Sequence, residues 1–387
     1  MGENYAAWLG IACFVLALAG CVYALGAAVV VHRFVGENAP PPATFPGVTI
    51  LKPLRGVSPG LYDDLASFCD QSYPGPVQIL FGLQDAADAA VAVVNRLIAE
   101  HPGRNLELIL QHAPTGGPNP KVANLVGLQR HIQHDVVIFA DADIAVARDY
   151  LCQTVAALGR PNVGAVTCLY RGVQRGGLWA RLASMGINYH FLPSVLVGLK
   201  LGLARPCFGS TIALRRETLQ SIGGFDAFLD YIADDNAIGK AVRATGMKVA
   251  VPSIVLAHAC SDQSAAGLLR HELRWARTVR AVNPPGYLGL VATHPLPFAV
   301  LGAALGGFGI LGTAMVGVAI GCRLVLQLQV DHTLQMTPIR WWLGPARDLL
   351  AFGVYVASFF VDVVSWSGRR YRVRADGTFA MIREPKA

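Results

Sequence analysis

Two aspartates separated by one residue, Asp141-Ala142-Asp143, follow directly on the apolar run Val136-Val137-Ile138-Phe139-Ala140. A strand over that run puts both carboxylates at its carboxyl end, and alternation turns them to the same side if the chain stays extended. Hard oxygen donors so placed share one divalent cation, directly or through water, and suit Mg2+ or Mn2+, which in turn neutralises a diphosphate. The competing reading is a solvated turn with two capping carboxylates, and the position after a buried strand weighs against it. Asp85 follows a second strand-like run in Gly82-Leu83-Gln84-Asp85, with Asp88 three residues on. One of these suits a ribose or a base edge and the other the cap of a helix starting near Ala89. In Tyr231-Ile232-Ala233-Asp234-Asp235, adjacent carboxylates rarely face the same way. One caps the following helix while the other points into a site as a base. His271-Glu272-Leu273-Arg274-Trp275, with Arg270, Arg277 and Arg280 around it, offers a guanidinium for a phosphate beside an indole wall. The same stretch also reads as a basic amphipathic helix on anionic lipid, and the two readings are compatible on different faces. The sequence offers no persuasive Ser-His-Asp or Cys-His arrangement for covalent catalysis.

The elements that must position these residues alternate. Val48–Leu51, Val77–Phe81, Leu106–Leu110 and Val136–Ala140 are strand-like, while Leu61–Cys69, Ala86–His101 and Lys121–His131 carry helical spacing. This order predicts an α/β domain, a mostly parallel sheet covered by helices with its ligands at the carboxyl ends of the strands.

Around that domain the chain is apolar. Its 387 residues are 53% hydrophobic and 15% charged, against roughly 25% charged in ordinary soluble domains, and the mean hydropathy is +0.43. No charge occurs from Ala6 through Val31, longer than the roughly 20 residues that cross a bilayer. The basic flank His32-Arg33 follows that stretch, as in a retained anchor whose C-terminal end is cytoplasmic. Asn38-Ala39-Pro40-Pro41-Pro42 then forms a stiff linker. Residues 286–330 carry a single formal charge, Arg323, and read as two tight spans or as one span with a re-entrant piece; a further span is expected over 345–366. Two spans plus that third would leave the basic tail outside, against the positive-inside expectation. Trp179–Leu203, interrupted by Pro193, reads as an interfacial helix that opens the active site to the bilayer. Gly307-x-Gly309-x-x-Gly312 matches a dinucleotide fingerprint but has no strand before it, so it is expected to pack helices instead. The net charge of +7 comes from scattered bases beside apolar stretches, a membrane pattern that gives no nucleic-acid partner. Eight cysteines without a CxxC pair give no disulfide scaffold or zinc site and fit a reducing compartment.

Taken together, Asp85, Asp141-Ala142-Asp143, Asp235 and His271-x-x-Arg274-Trp275 resemble the spaced aspartate sites and (Q/R)xxRW of the ceramide glucosyltransferase family. The similarity extends through Val48–Leu54, Asn119-Pro120-Lys121-Val122-Ala123-Asn124-Leu125, Cys207-Phe208-Gly209-Ser210 and Trp366–Arg372, nearly the whole chain. The wording is nearest the bacterial branch associated with hopanoid biosynthesis. His271 stands where the family has Gln or Arg, and the full D-x-D is more complete than in animal ceramide enzymes. The resemblance implies an inverting GT-A domain, a Rossmann-like mostly parallel sheet, held by N-terminal and C-terminal transmembrane helices. It implies transfer of glucose or N-acetylglucosamine from a UDP-sugar to a lipid hydroxyl, of ceramide or a hopanoid polyol. Asp85, Lys121 and Asp141 would then contact the donor, and Asp141 and Asp143 would hold Mg2+ or Mn2+. Asp235 would be the base, with Arg274, Trp275 and His271 completing the catalytic set. The expected divisions are an anchor at 1–33, a linker at 34–46, a cytosolic catalytic domain at 47–284, a membrane region at 285–367 and a basic tail at 368–387. The expected location is the cell inner membrane, multi-pass, with the catalytic domain cytoplasmic. A processive polysaccharide synthase also uses paired carboxylates and QxxRW, but Gln is missing at 271 and few spans are present to form a channel. An inactive scaffold that binds a nucleotide sugar is the reading from another class, and intact acidic sites argue against it.

Overall fold

The computed structural model describes residues 2–34, 42, 44–111, 118–337, 340–361, 363–366, 369–374 and 378–382. The strands are β1 (Val48–Pro53), β2 (Val77–Leu83), β3 (Asn105–Leu110), β4 (Val136–Phe139), β5 (Ile144–Ala145), β6 (Val163–Thr167), β7 (Leu169–Gln174), β8 (Ile212–Arg215), β9 (Lys248–Ala250), β10 (Val255–Cys260), β11 (Val363–Trp366), β12 (Arg369–Val373) and β13 (Phe379–Met381). The helices are α1 (Gly2–Phe34), α2 (Leu61–Cys69), α3 (Ala90–Glu100), α4 (Pro120–Leu128), α5 (Tyr150–Leu158), α6 (Leu178–Gly186), α7 (Leu192–Lys200), α8 (Arg216–Ser221), α9 (Asp234–Ala244), α10 (Ala265–Val282), α11 (Pro284–Gly289), α12 (Pro295–Leu305), α13 (Ile310–Thr333) and α14 (Gly344–Ala357). The chain divides into a membrane unit, residues 1–36, 182–204 and 264–364, and a catalytic unit, residues 37–181, 205–263 and 365–387.

The catalytic unit is built on a seven-stranded sheet ordered β3-β2-β1-β4-β8-β6-β9. β3, β2, β1 and β4 run parallel, and β8 reverses the direction against both β4 and β6. β1 and β4 are buried on both faces because helices cover each side, which is why they read as unbroken apolar runs. Leu51, Val122, Leu125, Phe139, Ile212 and Ile238 belong to the core between the sheet and its helices, and Phe139 meets Phe225 edge to face at 5.2 Å. Register then decides the site. Leu51 pairs with Phe139, so Asp141 emerges two residues past β4, level with the end of β1. A smaller sheet, β5-β10-β7, lies in the same unit.

The expected basic tail folds. β12 and β13 form an antiparallel hairpin, Tyr371 is 1% exposed, its hydroxyl donates to the Pro118 carbonyl at 3.4 Å, and Thr378 bridges to Tyr231. Most of the expected proline linker, residues 35–41 and 43, lies outside the described residues, as do 367–368, 375–377 and 383–387 of the tail.

In the membrane unit, α1 packs through small residues. Cβ positions at Gly20 and Gly10 would meet Pro295 at 2.8 Å and Leu305 at 3.6 Å, and Cys13, Ala17 and Cys21 share a core with Leu296 and Ala299. Gly312, from the fingerprint-like run, would place a Cβ 3.0 Å from Ala303, so this motif packs α13 on α12 as expected. Among the described residues, three helical segments are long and apolar enough to cross a bilayer: Tyr5–Phe34, Leu178–Lys200 and Ile310–Thr333. Pro284–Thr293 and Pro295–Leu305, bent by 61°, make a fourth if taken as one broken span. Among the described residues no helix covers the span expected over 345–366. α14 has 14 residues, about 21 Å at 1.5 Å per residue and short of the roughly 30 Å hydrocarbon core. The β-branched Val363-Val364 that follow lie in a strand. Trp179–Leu203, by contrast, is more continuous than Pro193 suggested, because a π-turn at Ile187–Phe191 joins α6 to α7 and Pro193 falls in the first turn of α7.

Candidate functional site

The aspartate pair sits in a turn rather than in extended chain, so the alternation argument does not apply to it; two other contacts set its geometry. Lys52, 0% exposed at the end of β1, donates its ammonium to the Asp141 carbonyl at 2.5 Å and lies 3.9 Å above the Phe68 ring. The Asp143 carbonyl accepts Ala259 N–H at 2.8 Å, and one Asp143 oxygen stands 3.5 Å from His258 Nε2 on β10. The turn is thus held from the parallel sheet on one side and from the smaller sheet on the other.

Lys121 and the second acidic pair arrive from α4 and α9. Asn119 caps α4, its side chain accepting from Lys121 and Val122 N–H, with Pro120 in the first turn. The Asn119 amide also donates to the Tyr231 carbonyl at 2.8 Å and to Asp234 at 3.4 Å, tying the two segments together. Lys121 Nζ pairs with Asp141 Oδ1 at 2.6 Å and lies 3.5 Å from Asp234 Oδ2. Neither adjacent aspartate caps α9 in the expected way: the capping position is Ala233, with no side-chain bond. Asp234, 5% exposed, is taken up by Lys121 and Asn119. Asp235 is more open, its Oδ2 accepting Gly209 N–H at 2.8 Å and its Oδ1 Asn236 N–H at 2.7 Å.

Gly209 marks where these groups converge. A Cβ there would lie 2.9 Å from Lys121 Nζ, 3.4 Å from Asp141 Oδ2 and 3.5 Å from Asp235 Oδ2. Asp141, Lys121 and Asp235, distant in sequence, therefore bound one small space at the strand ends. Electrostatics follow from the packing. Burial, then the neighbouring Asp234 charge, pushes the Asp235 carboxyl up to about 6. Burial and the charge of Asp143 raise Asp141 against the pull of Lys121. Burial would lower Lys121, but Asp141 and Asp234 override it and hold the ammonium charged. Lys52 is lowered by burial to about 8.

Two carboxylates of this kind fit a hard cation. Asp143 Oδ1 is buried with no hydrogen-bond partner among the described residues, and no cluster of three or more His, Cys, Asp or Glu closes on a metal there. Such a site leaves room for diphosphate oxygens and water to complete the coordination. Asp85 is placed apart from this group at the exposed end of β2, where its Oδ1 accepts Ala87 N–H at 2.8 Å in an Asx turn. Asp88 takes the capping role, accepting Ala90 N–H at 2.9 Å and Gly56 N–H at 2.8 Å.

His271, Arg274 and Trp275 lie on α10, which belongs to the membrane unit. Ser264 caps that helix through Gly267 N–H at 3.1 Å, and the His271 and Trp275 rings meet edge to face at 4.5 Å. Glu272, inside the same motif, is held by Arg347 of α14 at 2.7 Å. Sequence reasoning missed His258 and Lys52 as neighbours of the aspartate pair, left Asp234 open as the alternative to Asp235, and placed Gly209 only within a family-like run. Lys52 carried a signal, a lone lysine ending a buried strand, and the others become neighbours only through tertiary pairing.

The fold is that of GT-A glycosyltransferases. A mannosyltransferase from Pyrobaculum calidifontis, solved in complex with GDP-Man and Mn2+, superposes with a TM-score of 0.51 at 20% identity, covering 93% of this chain and 99% of that one. Among sequence relatives, ceramide glucosyltransferase 1 of Caenorhabditis elegans is 24% identical over 385 residues, spanning 94% of this chain and 80% of the worm protein. Ceramide glucosyltransferase of Gibberella zeae is 30% identical over 185 residues, 42% of this chain and 35% of the fungal one. The description Glycosyl transferase family 21 matches residues 12–379, the two acidic clusters and the α10 motif included, and the chain belongs to that family of sugar-nucleotide-dependent glycosyltransferases.

Proposed function

We propose that this protein is a membrane-bound inverting glycosyltransferase that moves one sugar, glucose or N-acetylglucosamine, from a UDP-sugar to a lipid hydroxyl of the ceramide or hopanoid-polyol kind. The observation that carries the reading is the convergence of Asp141, Lys121 and Asp235 around the space that a Gly209 side chain would fill. Asp235, raised to about 6, is ionised at neutral pH yet basic enough to take a proton. The lipid oxygen forms the new bond to the anomeric carbon as its proton passes to Asp235. The bond from that carbon to the diphosphate breaks, and UDP departs with the electron pair. Attack from the face opposite the leaving group inverts the centre, and no enzymic nucleophile is needed. Asp141 and Asp143 would hold Mg2+ or Mn2+, which supplies positive charge against the diphosphate. Lys121 orients the Asp141 carboxylate, and Asp85 at the end of β2 serves the nucleoside. Arg274 is assigned charge stabilisation of the leaving diphosphate, with Trp275 and His271 as its wall.

Chain connectivity supports the membrane placement. β7 and β8 both belong to the catalytic unit, so the helix over 178–200 leaves that unit and returns to it. A folded unit cannot be divided by a bilayer, so this helix lies along the interface or dips into it. By the same reasoning the chain between Ser264 and the β12–β13 hairpin crosses an even number of times. The bent pair α11–α12 and the helix α13 supply two crossings, and α1 supplies the third of the chain. The hairpin then shares the face of the catalytic unit, so the basic tail no longer conflicts with the positive-inside rule, and His32-Arg33 make that face cytoplasmic. The assignment is to the cell inner membrane. Expression in a host lacking such glycolipids, followed by mass spectrometry of its lipids, tests the reading. A lipid heavier by one hexose or N-acetylhexosamine is expected, whereas an unchanged lipid profile with polymer in the medium would favour a synthase.

A further inference from the structure

The basic run Arg369-Arg370-Tyr371-Arg372 takes no part in the transfer step, yet the hairpin it begins reaches the segments that carry the site. β12 and β13 pair antiparallel with Tyr371 opposite Met381, and Arg374 N–H closes the turn on the Thr378 carbonyl at 2.8 Å. Arg372 is exposed, whereas Tyr371, its neighbour on the other face of the strand, is among the largest fully buried side chains of the described residues. A tail that only met solvent would not bury an aromatic ring.

The hairpin is attached to the rest of the catalytic unit at two points, and each lies three residues ahead of a charged group of the site. The Tyr371 hydroxyl donates to the Pro118 carbonyl, with Lys121 three residues on. Thr378 bridges to Tyr231, with Asp234 three residues on. The two attached segments are also joined to each other: Asn119 N–H donates to the Leu229 carbonyl at 3.1 Å, and the Asn119 amide to the Tyr231 carbonyl at 2.8 Å. Because Asn119 caps α4, these bonds set where Lys121 starts. Lys121 Nζ then spans Asp141 at 2.6 Å and Asp234 at 3.5 Å. A displacement of about 1 Å between α4 and its partners breaks even the closer of these bonds, so their geometry depends on how firmly the two segments are held.

We infer that the C-terminal hairpin braces the donor site and that Tyr371 is a positioning residue, acting on Lys121 through the Pro118–Asn119 junction. The donor role of that site rests on the function proposed above. The brace follows residues 264–364 of the membrane unit in the chain, so the site is complete only once those segments have been made and the chain has returned to the catalytic unit.

The test uses the full-length protein in detergent micelles, with UDP and Mn2+ as the probe in calorimetric titration and labelled-sugar transfer alongside, both well below the melting temperature. Tyr371→Ala removes the buried ring, and Thr378→Pro removes the backbone N–H of the residue that bridges to Tyr231 while leaving Tyr371 in place. Each should weaken UDP binding about tenfold and lower kcat by about as much, with the acceptor KM within about twofold, as the loosening of one charged hydrogen bond at Lys121 requires. The double variant should do little more than either single one, because both release the same brace. Tyr371→Phe keeps the ring and gives up only a long bond, 3.4 Å, so it should restore binding and turnover to within about twofold of wild type. A hairpin that serves stability alone would lower the melting temperature of both variants and leave UDP affinity and kcat unchanged, which overturns the inference, as does an effect confined to the acceptor KM. Tyr371→Leu, which fills most of the space, replaces Tyr371→Ala if that protein does not fold, and the same outcomes decide. If the variants lose UDP affinity as expected while the wild type transfers sugar to no lipid, the brace stands and the proposed lipid reaction fails.

Discussion

Replacing Asp235 by asparagine removes a charge and the capacity to accept a proton while keeping the side chain's size. Two opposed stability terms follow from its surroundings. The carboxyl is raised from its ordinary 3.8 to about 6, so the protonated form favours the fold; that contribution is complete below about pH 4 and lost as pH rises through about 6. At neutral pH the ionised group therefore costs about 2–3 kcal/mol, which the substitution relieves. Against this, Gly209 N–H and Asn236 N–H both donate to the carboxylate, and an amide nitrogen must face one of them, a loss of about 1–3 kcal/mol. The terms are of similar size, so melting in detergent should shift by only a few degrees. Loss of the base should instead lower turnover about 10²–10⁴-fold with UDP affinity nearly intact. In the wild type, transfer should fall as pH drops through about 6, where Asp235 becomes protonated. The assay is labelled-hexose transfer to lipid, with UDP binding measured on the same preparations. An Asp235→Asn protein that transfers normally, alongside an inactive Asp234→Asn protein that still binds UDP, would refute the assignment.

Three further outcomes test other parts of the account. EDTA should abolish transfer and Mg2+ or Mn2+ restore it, and Asp143→Ala should weaken UDP-sugar binding about tenfold or more because one of two carboxylate ligands is gone; full activity in chelator with Asp143 removed would sink the metal assignment. Gly209→Ala puts a methyl 2.9 Å from Lys121 Nζ; the flexible lysine end can yield, so the fold should persist with the donor KM raised about tenfold, while wild-type kinetics would show that Lys121 does not face the donor. A fluorescent protein fused after Ala387 should fluoresce in cells and a periplasmic phosphatase fusion should stay inactive, and the reverse would contradict an even number of crossings after Ser264.

Local patterning made the first half of the catalytic unit readable. Val48–Leu51 and Val136–Ala140 are unbroken apolar runs because helices bury both faces of their strands, and the residue after such a run falls where ligands bind. The helix start expected near Ala89 is observed at Ala90, where Asp85 and Asp88 spend their oxygens on turn and cap N–H groups. The closest partners at the site are non-local. His258 on β10 approaches Asp143, and Gly209 in the turn before β8 meets Asp235 in the first turn of α9, across wide separations in sequence. In the membrane region apolar composition conceals both length and turns, so the end of α14 at Ala357 and the strand at Val363–Trp366 were read as one span. The hairpin at the C-terminus was invisible for a different reason, since the basic Arg369-Arg370-Tyr371-Arg372 looks solvated until Tyr371 is seen buried.

Purified protein in lipid nanodiscs, given UDP-glucose labelled in the sugar together with ceramide, tests the central claim most directly through the mass and anomeric configuration of the product. The account predicts a lipid carrying one labelled hexose in β-linkage from the α-linked donor, formed by the wild type and not by Asp235→Asn. A retained α-linkage, several sugars per lipid, or UDP released with no sugar on lipid would contradict it.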